Sequence, residues 1–168
     1  MNLGELIILD KENPHFYHVH TFSCDEEKWN IGNLYSTEGF NRKGNIINAP
    51  KRIRECDFER IRSKYFTTFP SRYSCLFLSE NICDATYWAK QLYSRTNQIQ
   101  ILEVELLNGK YVCVDEMFYN IEHFLQKEIE AESQCYWSGD ETINNPLHTI
   151  LFEGDFKVTN DITYLCDR

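Results

Sequence analysis

Residues 16–22 (FYHVHTF) are aromatic and β-prone, which predicts a strand. Side chains alternate faces along a strand, so His18 and His20 share one. No periodicity follows over residues 28–50, where three glycines and five asparagines predict a long loop of functional or Ω type. Helical spacing resumes over residues 54–66, with Phe58, Ile61 and Tyr65 on one face. Residues 72–79 (RYSCLFLS) read as a buried strand. Ser79 reads as the N-cap of a helix reaching residue 94, whose inward stripe is Ile82, Ala85, Ala89, Leu92 and Tyr93. Residues 99–107 and 110–116 read as two strands of a hairpin around Asn108-Gly109. A charged helix is expected from Met117 to Glu132, with Phe118, Ile121, Phe124, Leu125 and Ile129 inward. Residues 136–145 (YWSGDETINN) read as a loop, and 148–154 and 155–165 as further strand. Interspersed helices and strands with antiparallel pairing predict an α+β fold, a mainly antiparallel sheet with flanking helices. A chain of 168 residues suits a single domain over 1–168.

Composition narrows the function classes. The chain is 42% hydrophobic and 26% charged, as a globular protein is. Aromatics reach 14%, enough for a ring-lined pocket or for a large aromatic core. A formal charge of −9 opposes binding to a phosphate backbone, so no nucleic-acid partner is expected. The cations clustered in residues 51–64 are interspersed with acids and read as the polar face of an amphipathic helix. Seven cysteines with no CxxC, several inside apolar runs, behave as small hydrophobes. The first residues lack a basic start and a long apolar run, and no stretch approaches the ~20 apolar residues of a membrane span. These features predict a cytoplasmic protein with reduced thiols and no membrane partner.

P-loop, dinucleotide-fold, HExxH, GxSxG and paired CxxC signatures are all missing. That leaves the histidines. His15, His18 and His20 could hold a metal if a further ligand joined them, with Asp25, Glu26 and Glu27 nearby in sequence; this is the reading of a metal-dependent hydrolase. They could be strand histidines bonded to backbone carbonyls. Or His18 could bind a polar ligand at the mouth of a split sheet.

Three stretches bear on the last possibility. Tyr17-His18 opens the first strand. Cys75-Leu76-Phe77-Leu78-Ser79 leads into a helix with Ala85, Tyr87 and Trp88. Residues 146–158 carry Glu153 just before Gly154. Their order resembles the ADP-ribosyltransferase-like fold, with a split, mainly antiparallel sheet. Tyr17-His18-Val19, Trp29-x-x-Gly32, the LFLS strand and Tyr136-Trp137-x-Gly139 look closest to a small bacterial family of uncharacterised domains of that kind, over residues 16–158. The resemblance implies NAD as substrate, with cleavage of the nicotinamide glycosidic bond or transfer of ADP-ribose to an acceptor the sequence does not identify. In such enzymes a histidine bonds the adenosine ribose, a ring stacks on nicotinamide, and a carboxylate stabilises the cation-like transition state. Carried over, His18 takes the first role, Phe77, Tyr87 or Tyr136 supplies the ring, and Glu153 is the acid of the late strand. His20 and Ser79 accompany them in binding the nucleotide. Arg72 would contact phosphate with its planar fork or form a surface ion pair. Tyr136 and Trp137 would wall the ligand or pack on a helix end. No metal is expected. Thr149 stands where the resemblance implies the carboxylate, and a threonine carries no charge. This favours the alternative, a catalytically degenerate module that binds a nucleotide or a protein.

Overall fold

The stretch around His18 forms a strand in the computed structural model, which describes residues 2–10, 12–42, 49–93, 97–120, 125–142 and 146–165. The strands are β1 (Leu6–Ile8), β2 (His15–Phe22), β3 (Leu34–Ser36), β4 (Leu76–Leu78), β5 (Gln98–Asp115) and β6 (His148–Asp161). The helices are α1 (Ala49–Tyr65), α2 (Ile82–Leu92), α3 (Met117–Asn120) and α4 (Gln126–Ser138). The fold is α+β, and every pairing between these strands is antiparallel. No described helix is long and apolar enough to cross a membrane.

The expected hairpin at Asn108-Gly109 is not there. The two flanking segments do not turn back on each other, because both pair with β6 as one continuous strand, β5. The expected break at Gly154 is likewise absorbed into a continuous β6. Gly109 and Gly154 lie directly opposite each other, at φ 124° and 150°. A Cβ on Gly109 would fall 2.2 Å from the Glu153 carbonyl oxygen, and one on Gly154 would fall 2.1 Å from that of Asn108. Only residues without Cβ let the two backbones approach so closely. Beside this crossing lies a register shift between Leu106 and Asn108, of the kind that bends a ladder.

On either side of the crossing the long β5–β6 ladder recruits different partners. β2 pairs with Gln98–Glu105 of β5 and β1 with its other half, while β3 and β4 pair with opposite halves of β6. The sheet curls until β2 meets β4, where Tyr17 and Ser79 exchange backbone hydrogen bonds of 2.9 and 2.8 Å. Alternation then sorts the side chains. Phe16, Leu76, Leu78, Leu102, Val104, Cys113, Ile150 and Phe152 fill one core cluster. Val112, Val114 and Leu151, of opposite parity, pack with Phe58, Ile61, Tyr136 and Trp137 of α1 and α4. Ala85 and Ala89 seat α2 against Ile101 near β2. Each fully buried Leu or Phe contributes about 1.5–3 kcal/mol.

Several expected details differ. Ser79 does not cap α2. Asn81 does, its side chain accepting from the Asp84 amide at 2.9 Å, because α2 begins at Ile82 and the backbone of Ser79 is still paired with Tyr17 in the sheet. Leu92 and Tyr93 are exposed at the end of α2, where the sheet no longer covers them, and Tyr65 is exposed at the end of α1. The expected 72–79 strand contracts to Leu76–Leu78, and the long loop holds β3. Residues 136–138 are not loop. They complete α4, and Tyr136 and Trp137 are fully buried. The expected helix over 117–132 is two, α3 and α4; Ile121 and Phe124 fall outside the described residues, and Leu125 is exposed.

Candidate functional site

Beside the Tyr17–Ser79 junction lies a cavity of about 220 Å³. β2 brings His18 to it, β4 and its end bring Phe77 and Ser79, and β6 brings Thr149. α1 contributes Lys51 and Glu55, α2 contributes Trp88, and the turn before β4 contributes Arg72. Arg42 reaches in after β3, its backbone N–H donating to the Tyr73 carbonyl at 2.8 Å.

His18 is 4% exposed, and its Nδ1 lies 2.9 Å from the Phe77 carbonyl. A carbonyl only accepts, so Nδ1 carries the proton and Nε2 is left as an acceptor. Burial lowers its pKa to about 3 despite that bond, with the Arg42 charge adding to the fall, so the ring is neutral. One ring face stacks on Trp29 at 5.0 Å. His20 shares the stack, 4.3 Å from Trp29, and its Nε2 donates to the Glu27 carbonyl at 2.8 Å. Both histidines thus bond backbone carbonyls. Among the described residues no group of three His, Cys, Asp or Glu side chains is placed to hold a metal.

Arg72 anchors the base of the site at 4% exposure. Its Nε donates to Glu55 at 2.7 Å, and its Nη1 to Glu116 at 2.5 Å and to the Tyr136 hydroxyl. Tyr136 in turn donates to Glu116 at 2.7 Å. Burial works against the guanidinium charge, but Glu116 and Glu55 outweigh it and hold the group well above its usual value. Burial likewise pushes the Tyr136 phenol well up, so it stays a donor. The Arg72 plane lies 4.2 Å from the Tyr119 ring centre and 5.0 Å from that of Phe77. The Arg42 guanidinium lies 4.5 Å from the Phe77 centre; among the described residues it forms no direct ion pair, and Glu55 and Glu116 act on its charge from further off.

The sequence-derived residues divide as follows. His18, Arg72, Phe77 and Ser79 come together at the cavity, and Tyr136 sits beneath it as a partner of Arg72. Arg72 forms buried ion pairs, not surface ones. Trp137 is a core residue that donates to the Phe58 carbonyl at 2.9 Å. Tyr87 is 43% exposed on α2, and His20 lies in the Trp29 stack outside the cavity lining. The structure does not bring Glu153 to His18. Glu153 lines a separate shallow depression with Gly154 and Lys110, whose ammonium is 3.5 Å from it.

Arg42, Glu55, Trp88 and Tyr119 are site residues that sequence reasoning passed over. Glu55 stands three residues before Phe58 on the inward face of α1, a carboxylate in a core stripe, and that was the available signal. Two adjacent acids at the end of β5, Asp115 and Glu116, separate cleanly. Asp115 is a structural hub that accepts from Met117, Thr142 and Leu147, and those bonds outweigh burial to hold its pKa below the usual value. Glu116 faces the cavity.

A comparison with curated proteins finds no match. Residues 5–164 match the model of a family described as "Protein of unknown function (DUF2441)", an uncharacterised domain family, and the chain belongs to that family.

Proposed function

We propose that the cavity beside His18 binds NAD or a related nucleotide, and that the chain is a binding module on an ADP-ribosyltransferase-like fold rather than an active transferase. His18 carries the reading. A buried, neutral ring pinned by the Phe77 carbonyl offers Nε2 as a fixed acceptor for a ribose hydroxyl or an amide N–H. The curled antiparallel sheet, with β2 and β4 meeting at the site, is compatible with the fold the resemblance implies.

Three observations favour binding over glycosyl transfer. The cavity carboxylates, Glu55 and Glu116, both bond Arg72. Thr149 lines the cavity where the resemblance implies a carboxylate. The Phe77 ring that would stack on nicotinamide already carries Arg42 and Arg72. The cavity is also smaller than the roughly 300–1,000 Å³ that encloses a drug-sized ligand, so it suits one end of a nucleotide.

Glycosyl transfer stands second. It is supported by Glu116, which uses the single oxygen Oε1 for both Arg72 and Tyr136. The test is a tryptophan-fluorescence titration with NAD and with ADP-ribose, followed by chromatography for free nicotinamide. Binding without release supports the module. Release would move the assignment to an NAD glycohydrolase or transferase using Glu116. No binding of either ligand would refute the nucleotide reading.

A further inference from the structure

Two residues that line the cavity carry buried polar atoms without a hydrogen-bond partner among the described residues. Thr149 is 2% exposed, and among the described residues its Oγ1 has no hydrogen-bond partner. The Trp88 Nε1 is buried and likewise without a partner. Both residues line the cavity, as does His18, whose Nε2 is an acceptor. A buried donor or acceptor left unpaired is destabilising, and a fold retains few of them. Here two occur in one cavity with complementary chemistry: an indole N–H that only donates and a hydroxyl that does both. The His18 lone pair adds an acceptor.

The charge of the same cavity departs from that of the chain. Arg42, Lys51 and Arg72 line it against Glu55 and Glu116, three cations against two carboxylates with His18 neutral. Among the described residues the lining carries a net charge of +1, in a chain of −9. Arg72 is taken up by both carboxylates, which leaves, among the described residues, Arg42, its guanidinium over the Phe77 ring, and Lys51 as the cations available to a ligand.

We infer that the cavity recognises a phosphorylated sugar by two ends: Arg42, aided by Lys51, binds the phosphate, and Trp88 Nε1, Thr149 Oγ1 and His18 Nε2 bind vicinal hydroxyls. A hydroxyl both donates and accepts, so a diol can satisfy all three groups together, which a carboxylate or a thioether cannot. The guanidinium plane suits two phosphate oxygens. This rests on the nucleotide reading for the ligand class, and it adds Arg42, Trp88 and Thr149 as binding residues.

The experiment is calorimetric titration of the full chain with ribose 5-phosphate, inorganic phosphate, ribose and NAD. It is repeated with Trp88→Phe, Thr149→Val and Arg42→Gln, each checked for native circular dichroism; Arg42→Lys stands in if Arg42→Gln does not fold. Ribose 5-phosphate should bind more tightly than phosphate or ribose. Trp88→Phe and Thr149→Val should each weaken ribose 5-phosphate about three- to tenfold and leave phosphate unchanged. Arg42→Gln should weaken both phosphate-bearing probes. Unchanged affinity for ribose 5-phosphate in Trp88→Phe and Thr149→Val would overturn the inference, and so would no binding of ribose 5-phosphate to the native chain. NAD bound equally by the native chain and these two variants would keep the nucleotide reading while sinking this one. Ribose 5-phosphate bound as expected without NAD would do the reverse.

Discussion

Replacing His18 by glutamine should make the protein less sensitive to acid. Between pH 6.5 and about 3 the unfolded chain protonates this imidazole and the folded chain does not, because burial holds its folded pKa at about 3. The native state therefore loses stability as pH falls through 6.5, by about 1.4 kcal/mol per pH unit. From pH 7 to pH 4 the loss from His18 alone comes to about 3 kcal/mol, a large part of the ~5–15 kcal/mol that holds a domain folded. Glutamine does not titrate, and its amide can still donate to the Phe77 carbonyl. His20, whose pKa burial also lowers, contributes in the same direction but is present in both proteins. Asp115 and Asp161 are held below 3.8 in the fold, so their losses come in more acidic solution. The assay is urea denaturation followed by fluorescence at half-unit steps from pH 7.5 to 4. The stability difference between the native protein and His18→Gln should drift by about 3 kcal/mol across that range. Parallel pH profiles would refute the buried neutral ring and, with it, the fixed acceptor on which the site depends.

Further outcomes follow from the same structure. Glu116→Gln removes one of the two carboxylates bonded to the buried Arg72 and should cost about 3 kcal/mol by urea denaturation at neutral pH. Gly109→Ala and Gly154→Ala should each cost at least about 2 kcal/mol, or prevent folding, since the added Cβ meets a carbonyl oxygen on the facing strand; melting temperatures check this. Glu153→Gln alters a half-exposed pair with Lys110 and should change stability by less than about 0.5 kcal/mol and leave NAD affinity unchanged, measured by denaturation and calorimetry.

The sequence made the fold class legible because alternation and helical spacing are local. β2, α1, α2 and the inward parity of Phe58, Ile61, Ala85 and Ala89 all read correctly. The Asn108-Gly109 signal misled because a turn dipeptide and a close strand crossing ask for the same residue. Only the partner strand, with Gly154 opposite, distinguishes them. Tyr136-Trp137 read as loop because a Gly follows shortly after, yet that glycine ends α4 beyond both aromatics. At the candidate site, His18, Phe77, Ser79 and Arg72 are singled out through the resemblance, and the curled sheet brings them to one cavity. Arg42, Glu55, Trp88 and Glu116 come from four separate elements, and no sequence spacing joins them before the sheet curls. Glu153 shares a strand with Thr149, but the strand carries it up to the crossing, where it lines another depression.

The most direct test of the nucleotide site uses the indole resonances of the three tryptophans, 29, 88 and 137. A ¹H–¹⁵N spectrum is recorded during titration with NAD, with Trp88→Phe used for assignment. Trp88 lines the cavity, whereas the Trp137 indole is bonded to the Phe58 carbonyl inside the core. The account predicts that the Trp88 resonance moves in a saturable way while that of Trp137 stays still. A stationary Trp88 resonance at saturating NAD would contradict it.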